Sequence, residues 1–169
     1  MHPQHFAIRP ALPAEADIVR QISADAYIPA YQATIGAIPK PVFEDYRPRI
    51  ARGEVWLLET DRPIGVLVLE DKAGHLLVYS IAVSPEHAGR GYATGLLEFA
   101  EHQAVDRGRP EIRLYTNSRM TGNLRLYAKC GFAEIGTRPH PNRPGEILVD
   151  MAKPVAPRPI PPSPAPASP

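Results

Sequence analysis

Two stretches of this chain carry residue types at spacings that can do chemistry. In the first, the apolar, β-branched run Leu76–Val83 ends at Ser84-Pro85-Glu86, and Ala88-Gly89-Arg90-Gly91-Tyr92-Ala93-Thr94 follows. From there Ala93, Leu96, Leu97, Ala100 and Ala104 recur at helical spacing, and Gly108 is placed to stop the helix. A strand, a glycine-rich turn and a helix start make an anion site. The first N–H groups of the helix lack intrahelical partners, its dipole is positive there, and glycines let the backbone close on a phosphate. In the second stretch, Asn123 and Tyr127 lie four residues apart on one face of a short helix that Gly131 ends.

Two phosphate-binding fingerprints fail on the first stretch. A P-loop needs Lys-Ser/Thr after its second glycine, and Tyr92-Ala93 stands there; the dinucleotide pattern G-x-G-x-x-G fails because Gly95 falls one residue late after Gly89 and Gly91. The strand is also in mid-chain, whereas the dinucleotide motif usually opens its domain.

Together, SIAVSPEHAGRGYATGLL and, about thirty residues on, NSRMTGNLRLYAKCGF resemble the GCN5-related N-acetyltransferase (GNAT) family, over roughly Phe6 to Lys153. The resemblance implies an N-acetyltransferase that moves the acetyl group of acetyl-CoA to an amine by direct attack, with no covalent enzyme intermediate and no metal. It implies that the amides of Gly89, Arg90, Gly91, Tyr92, Ala93 and Thr94 hold the coenzyme pyrophosphate. Gly91 and Ala93 match the last two fixed positions of the family pattern Gln/Arg-x-x-Gly-x-Gly/Ala. Ala88, counted with the coenzyme site, replaces its Gln or Arg and loses a side-chain contact. Backbone groups around Ile81, Ala82 and Val83 would pair with the pantetheine arm and the oxyanion, in a slot opened by a bulge.

By the same resemblance Tyr127 is the catalytic acid at the coenzyme sulfur, a role open to a phenol with an ordinary pKa near 10, and Asn123 hydrogen-bonds the pantetheine. The base is less defined. Tyr79 stands where many relatives carry a carboxylate, which leaves Glu59 or Glu70 through water, or water alone. Cys130 lacks a His partner at suggestive spacing and reads as a small buried residue, and His87 reads as a surface turn residue. The acceptor wall falls to the early helices, with Tyr27, Tyr31 and Tyr46 as lining. The acceptor is open between a small amine, an amino acid and a protein. A non-catalytic acyl-CoA-binding module is the alternative, motivated by Ala88 and Tyr79.

The elements that must position these groups follow from pattern. Strands are expected at His5–Arg9, Glu54–Thr60 and Pro63–Glu70, with the last two joined through Asp61-Arg62. Further strands are expected at Leu76–Val83, Glu111–Thr116, Phe132–Gly136 and Glu146–Met151. A first helix should end near Tyr27, before Ile28-Pro29. A second, from Val42 to about Arg52, should kink or split at Pro48, since an interior proline costs about 3 kcal/mol. The fold class is α/β: a mixed six- to seven-stranded sheet flanked by helices, with a splayed central strand pair.

Composition bounds the rest. The 169 residues suit one domain, 1–153, followed by a Pro-rich disordered or polyproline II tail, 154–169. A formal charge of +1 argues against nucleic acid as main ligand, and a single cysteine fits a reducing compartment. No apolar run approaches a membrane span. The expectation is a cytoplasmic monomer or homodimer, whose partners are acetyl-CoA and an amine.

Overall fold

The computed structural model describes residues 5–165. Seven strands form one sheet: β1 (Ala7–Pro10), β2 (Val55–Glu59), β3 (Pro63–Lys72), β4 (His75–Val83), β5 (Glu111–Asn117), β6 (Ala133–Pro139) and β7 (Ile147–Pro154). Their order is β1-β2-β3-β4-β5-β7-β6, antiparallel everywhere except between β4 and β5. That parallel pair is joined by the crossover helix α3 (Tyr92–Asp106). α1 (Ala16–Thr34) and the short α2 (Arg47–Ala51) cover one face, and α3 covers the other. α4 (Thr121–Lys129) follows β5.

β3 is buried from Ile64 to Leu69 because both of its faces are covered. Leu67 and Leu69 join the core under α3, with Leu96, Leu97, Ala100 and Ile112; Val66 and Val68 join the core under α1, with Val19, Ile22 and Ile50. Between β3 and β4 the register shifts at one place, in β4. Val68 pairs with Ser80 but Leu69 pairs with Val78, so Tyr79 is an extra residue. Before this bulge Leu76 and Val78 face α3; after it Ile81 and Val83 take that face, while Tyr79 and Ala82 pack on the α1 side. Past the bulge β4 leaves β5: the two strands pair only at Leu76–Ile112 and Leu77–Arg113. The bulge and splay implied by the family resemblance are both present.

Two expected helices differ from the structure. α1 does not stop near Tyr27 but runs through Pro29 to Thr34. Pro29 cannot donate a backbone hydrogen bond in the helix interior. Its neighbours nevertheless fix the turn, as the Tyr27 and Tyr31 rings meet edge to face at 5.8 Å and the Tyr27 hydroxyl bonds β4. Tertiary packing outweighs local propensity here. The second helix does not start at Val42 or break at Pro48: a 3-10 turn at Lys40–Val42 is followed by non-helical residues 43–46, and α2 begins only at Arg47, with Pro48 accommodated in its first turn. β7 includes Pro154, and Val155 is buried with its N–H on the Pro110 carbonyl, so the sheet overlaps the first residues assigned to the tail. No regular element follows Pro154 as far as Ala165. No helix among the described residues is long and apolar enough to cross a membrane.

Candidate active site

The glycine loop forms a row of unpartnered donors. Ala88 spends its N–H on the Pro85 carbonyl, which closes a 3-10 turn. From Gly89 to Thr94, none of the six N–H groups has a protein acceptor among the described residues. The first pairing resumes at Gly95, which donates to the Gly91 carbonyl. Gly89 and Gly91 adopt φ of 74° and 85°, and a Cβ at either would meet nothing within 4 Å. The glycines are therefore required by backbone conformation, and the space above them is open. Arg90 is exposed there and has no carboxylate partner among the described residues. The Tyr92 ring is buried edge-on to Phe6, so this residue offers only its backbone. His87, expected at the surface, instead tucks its ring edge-on against Tyr92.

Where β4 and β5 part, a cavity of about 570 Å3 opens. Val78, Tyr79, Ser80 and Ile81 of β4 line one side, and Leu114 to Asn117 of β5, with Asn123 and Tyr127 of α4, line the other. Its outer wall comes from α1, residues 38–43 and residues 138–143. The glycine loop does not line this cavity. The sequence-derived candidates thus fall into two places, the amide row and the slot, both adjoining β4.

Ile81 points both backbone groups into the slot, where the Tyr27 hydroxyl accepts from its N–H at 3.1 Å and donates to its carbonyl at 2.7 Å. The same hydroxyl lies 3.0 Å from Ser80 Oγ. Antiparallel alternation then turns Val83 towards the slot and Ala82 towards β3, where it pairs with Val66. The backbone of Ala82 is therefore spent within the sheet, a correction to its assignment. Burial, the largest influence, pushes the Tyr27 phenol well above its usual pKa.

Tyr127 is buried edge-on to Phe132, its centroid 6.2 Å away, and among the described residues its hydroxyl has no hydrogen-bond partner. Burial drives its pKa far upward, so the phenol is protonated throughout the ordinary pH range. Asn123 makes only a long contact, 3.4 Å from Nδ2 to Thr116 Oγ1, which leaves its amide free to bind another group.

Neither carboxylate considered as a base reaches the cavity. Glu59 accepts from Arg9 at 2.9 Å. Glu70 is held by Arg49 at 2.9 Å and Lys72 at 2.6 Å; burial pushes its pKa up, but the hydrogen bonds and charges of these two cations together reverse that and hold it below the ordinary glutamate value. Arg49 also bonds Glu44 and Glu54 and sits 3.9 Å over the Tyr79 ring, while the Tyr79 hydroxyl donates to Glu44 at 2.8 Å. Tyr46 does not line the slot: buried, it donates to the Pro41 carbonyl at 2.5 Å, and burial pushes its pKa up to about 12. Tyr27 and Tyr31 do line it. Sequence reasoning missed Lys40, Tyr115, Arg138, His140 and Arg143 in the wall. The only signal for the last three was a proline-punctuated connection rich in basic side chains.

The sequence pattern of the Acetyltransferase (GNAT) family matches residues 18–132. The chain belongs to that family. A streptothricin acetyltransferase of Escherichia coli is 46% identical over 52 residues, 31% of this chain. This GNAT chain spans between 30% and 43% of the length of the curated relatives it matches. Among solved structures, the PaiA N-acetyltransferase of Thermoplasma acidophilum, in complex with coenzyme A, superposes with a TM-score of 0.71 at 17% identity. It covers 89% of this chain and 99% of its own. The ribosomal-protein-S18-alanine N-acetyltransferase of Escherichia coli gives 0.69 at 16%, over 90% and 95%. At these identities the likeness is one of fold.

Proposed function

We propose that the protein is an N-acetyltransferase that uses acetyl-CoA and an amine, by direct attack. The observation that carries this reading is the row of six unpartnered amides from Gly89 to Thr94, set at the end of a strand that has left its neighbour. Such a row suits a pyrophosphate, and the slot beyond it suits an extended thioester arm. In this reading the amine nitrogen attacks the thioester carbonyl carbon, and the oxyanion takes a hydrogen bond from the Ile81 or Val83 N–H. The carbon–sulfur bond then breaks, and the sulfur accepts a hydrogen bond from Tyr127. A phenol with a raised pKa is a weaker acid than a thiol, so Tyr127 stabilises the thiolate chiefly by donating a hydrogen bond. The thiolate is finally protonated by the proton that the attacking nitrogen releases. No carboxylate lines the slot among the described residues, so the ammonium loses its proton to water before attack.

Cys130 does not line the slot, which favours direct attack over an acetyl-enzyme. The acceptors that the relatives are named for, streptothricin and a ribosomal-protein alanine, differ so widely that the shared fold does not choose the acceptor. Calorimetric titration with acetyl-CoA, together with a thiol-release assay over an amine panel, tests the reading. Binding plus turnover, with turnover lowered in Tyr127→Phe, supports it. Binding without turnover of any amine points to the acyl-CoA-binding module, and no binding by a folded sample removes the coenzyme reading altogether.

A further inference from the structure

The charge on the acceptor side of the slot is one-sided. Lys40, Arg138 and Arg143 line the cavity, His140 lies among them, and no Asp or Glu does. The nearest carboxylates sit behind lining residues and are already held. Glu44 is bound by Arg49, Glu146 by Arg119 at 3.2 Å, and Asp150 by Arg138 at 2.9 Å. Of the three cations only Arg138 is thereby neutralised. Lys40 and Arg143 have no carboxylate within 4 Å among the described residues; the one side-chain hydrogen bond of Arg143 goes to the Ile38 carbonyl at 2.6 Å. That contact uses one of five guanidinium donors and ties the 138–143 segment to the 38–43 segment.

His140 adds a neutral donor. Burial, and then the Arg143 charge, lower its pKa below the usual histidine value, so it is uncharged at neutral pH. Its Nδ1 accepts from the Asn142 N–H at 3.1 Å, and this network assigns the remaining proton to Nε2.

An ammonium-rich acceptor would meet repulsion here and find nothing to neutralise it, whereas an anion would find a fork, a point charge and an N–H. We infer that the acceptor is a small amine that also bears an anionic group, a carboxylate or a phosphonate, which Arg143, Lys40 and His140 hold at the slot's outer wall. The inference rests on the acetyl-transfer reading and names the acceptor class of that same site.

The test is a thiol-release assay on matched pairs, run beside calorimetry with acetyl-CoA. Each acid is compared with its neutral counterpart: amino acids with their amides, 3-aminopropylphosphonate with its diethyl ester, and spermidine as a polycation. The acids should exceed the neutral partners in kcat/KM by about tenfold or more, as charge-assisted hydrogen bonds allow. That ratio should fall towards one in Lys40→Gln and in Arg143→Gln, and invert in Lys40→Glu. Lys40 is exposed and its side chain makes no hydrogen bond or ion pair among the described residues, and Arg143→Lys, which keeps the charge, should restore part of the ratio. Acetyl-CoA binding with amides or spermidine preferred overturns the inference and leaves acetyl transfer standing; so does binding with none of the acids acetylated. Absence of acetyl-CoA binding overturns the acetyl-transfer reading, and the inference falls with it.

Discussion

The amide row at Gly89–Thr94 and the wall around Arg143 would serve one reaction from opposite ends, and they are built in opposite ways. The row is six consecutive residues, and its donors are backbone groups that any sequence supplies once two glycines permit the turn. The wall is assembled from α1, residues 38–43 and residues 138–143, about a hundred positions apart, and everything it offers is a side chain. A site made of backbone tolerates most substitutions and fails at the glycines. A site made of side chains can be rewritten one residue at a time, which suits a shared coenzyme facing varied acceptors.

The largest predicted effect probes the ion cluster behind Tyr79, on the β4 side of the slot. Arg49 is buried among Glu44, Glu54 and Glu70 beneath the Tyr79 ring. Arg49→Ala leaves those carboxylates without their shared cation and should cost about 3–5 kcal/mol of stability by denaturant melts. The wild-type contribution has a definite pH sign. Glu54 and Glu70 are pushed up by burial but lowered on balance by their cationic partners. Their stabilisation is present above the ordinary glutamate pKa of 4.5 and lost as pH falls through the folded values. Arg49→Ala should flatten that acid limb, and an unchanged limb would place the acid sensitivity elsewhere.

Next comes the row itself. Gly91→Val puts a β-branched residue at positive φ and a side chain into the open space above the loop. Acetyl-CoA affinity should fall about 100-fold by calorimetry, with a strain cost of about 1–3 kcal/mol in the melt. Arg143→Gln should leave that affinity within about twofold, as a charge beyond contact does in salt. Equal losses from both would dissolve the distinction between the two regions.

Tyr127→Phe would delete the hydrogen bond proposed to reach the sulfur and should lower kcat about tenfold to a hundredfold, as a lost charge-assisted donor does. The pH profile sharpens the same point: kcat/KM should rise with pH up to the acceptor's own amine pKa, moving when acceptors of different basicity are compared. A limb fixed across acceptors would indicate an enzyme base.

The smallest effect concerns Tyr27, whose hydroxyl covers both backbone groups of Ile81. Tyr27→Phe should lower stability by about 1–2 kcal/mol, because those groups lose their partner. Acetyl-CoA should then raise the Tm of the variant by more than it raises that of the wild type, because the ligand no longer competes with the phenol.

What was legible in the sequence follows the same division. The strand, glycine turn and helix around Gly91, the Gly131 stop after α4 and the Asn123–Tyr127 face are local patterns, and each stands where its spacing placed it. What escaped depends on partners distant in the chain. Pro29 reads as a breaker until Tyr27 is seen bonded to Ile81, 54 residues away. Glu70 reads as a free base until Arg49 and Lys72 are seen on it. Ala82 reads as part of the coenzyme strand until the bulge at Tyr79 fixes which way its backbone points.

That bulge has a mechanical consequence. With only two residue pairs joining β4 to β5, the sheet is a four-stranded ribbon and a three-stranded ribbon riveted at one end, held elsewhere by the helix laid across the seam. Such a joint is compliant: the ribbons can breathe against each other with little loss of ladder bonding, and amides bordering the gap should exchange with solvent sooner than those inside either ribbon. A molecule bridging Ile81 and Asn123 would act as a second rivet, stiffening the seam along its length. Slowed exchange in β5 and α4, far from the amide row, would then be the sign that a ligand has been gripped along its whole span and not by its phosphates alone.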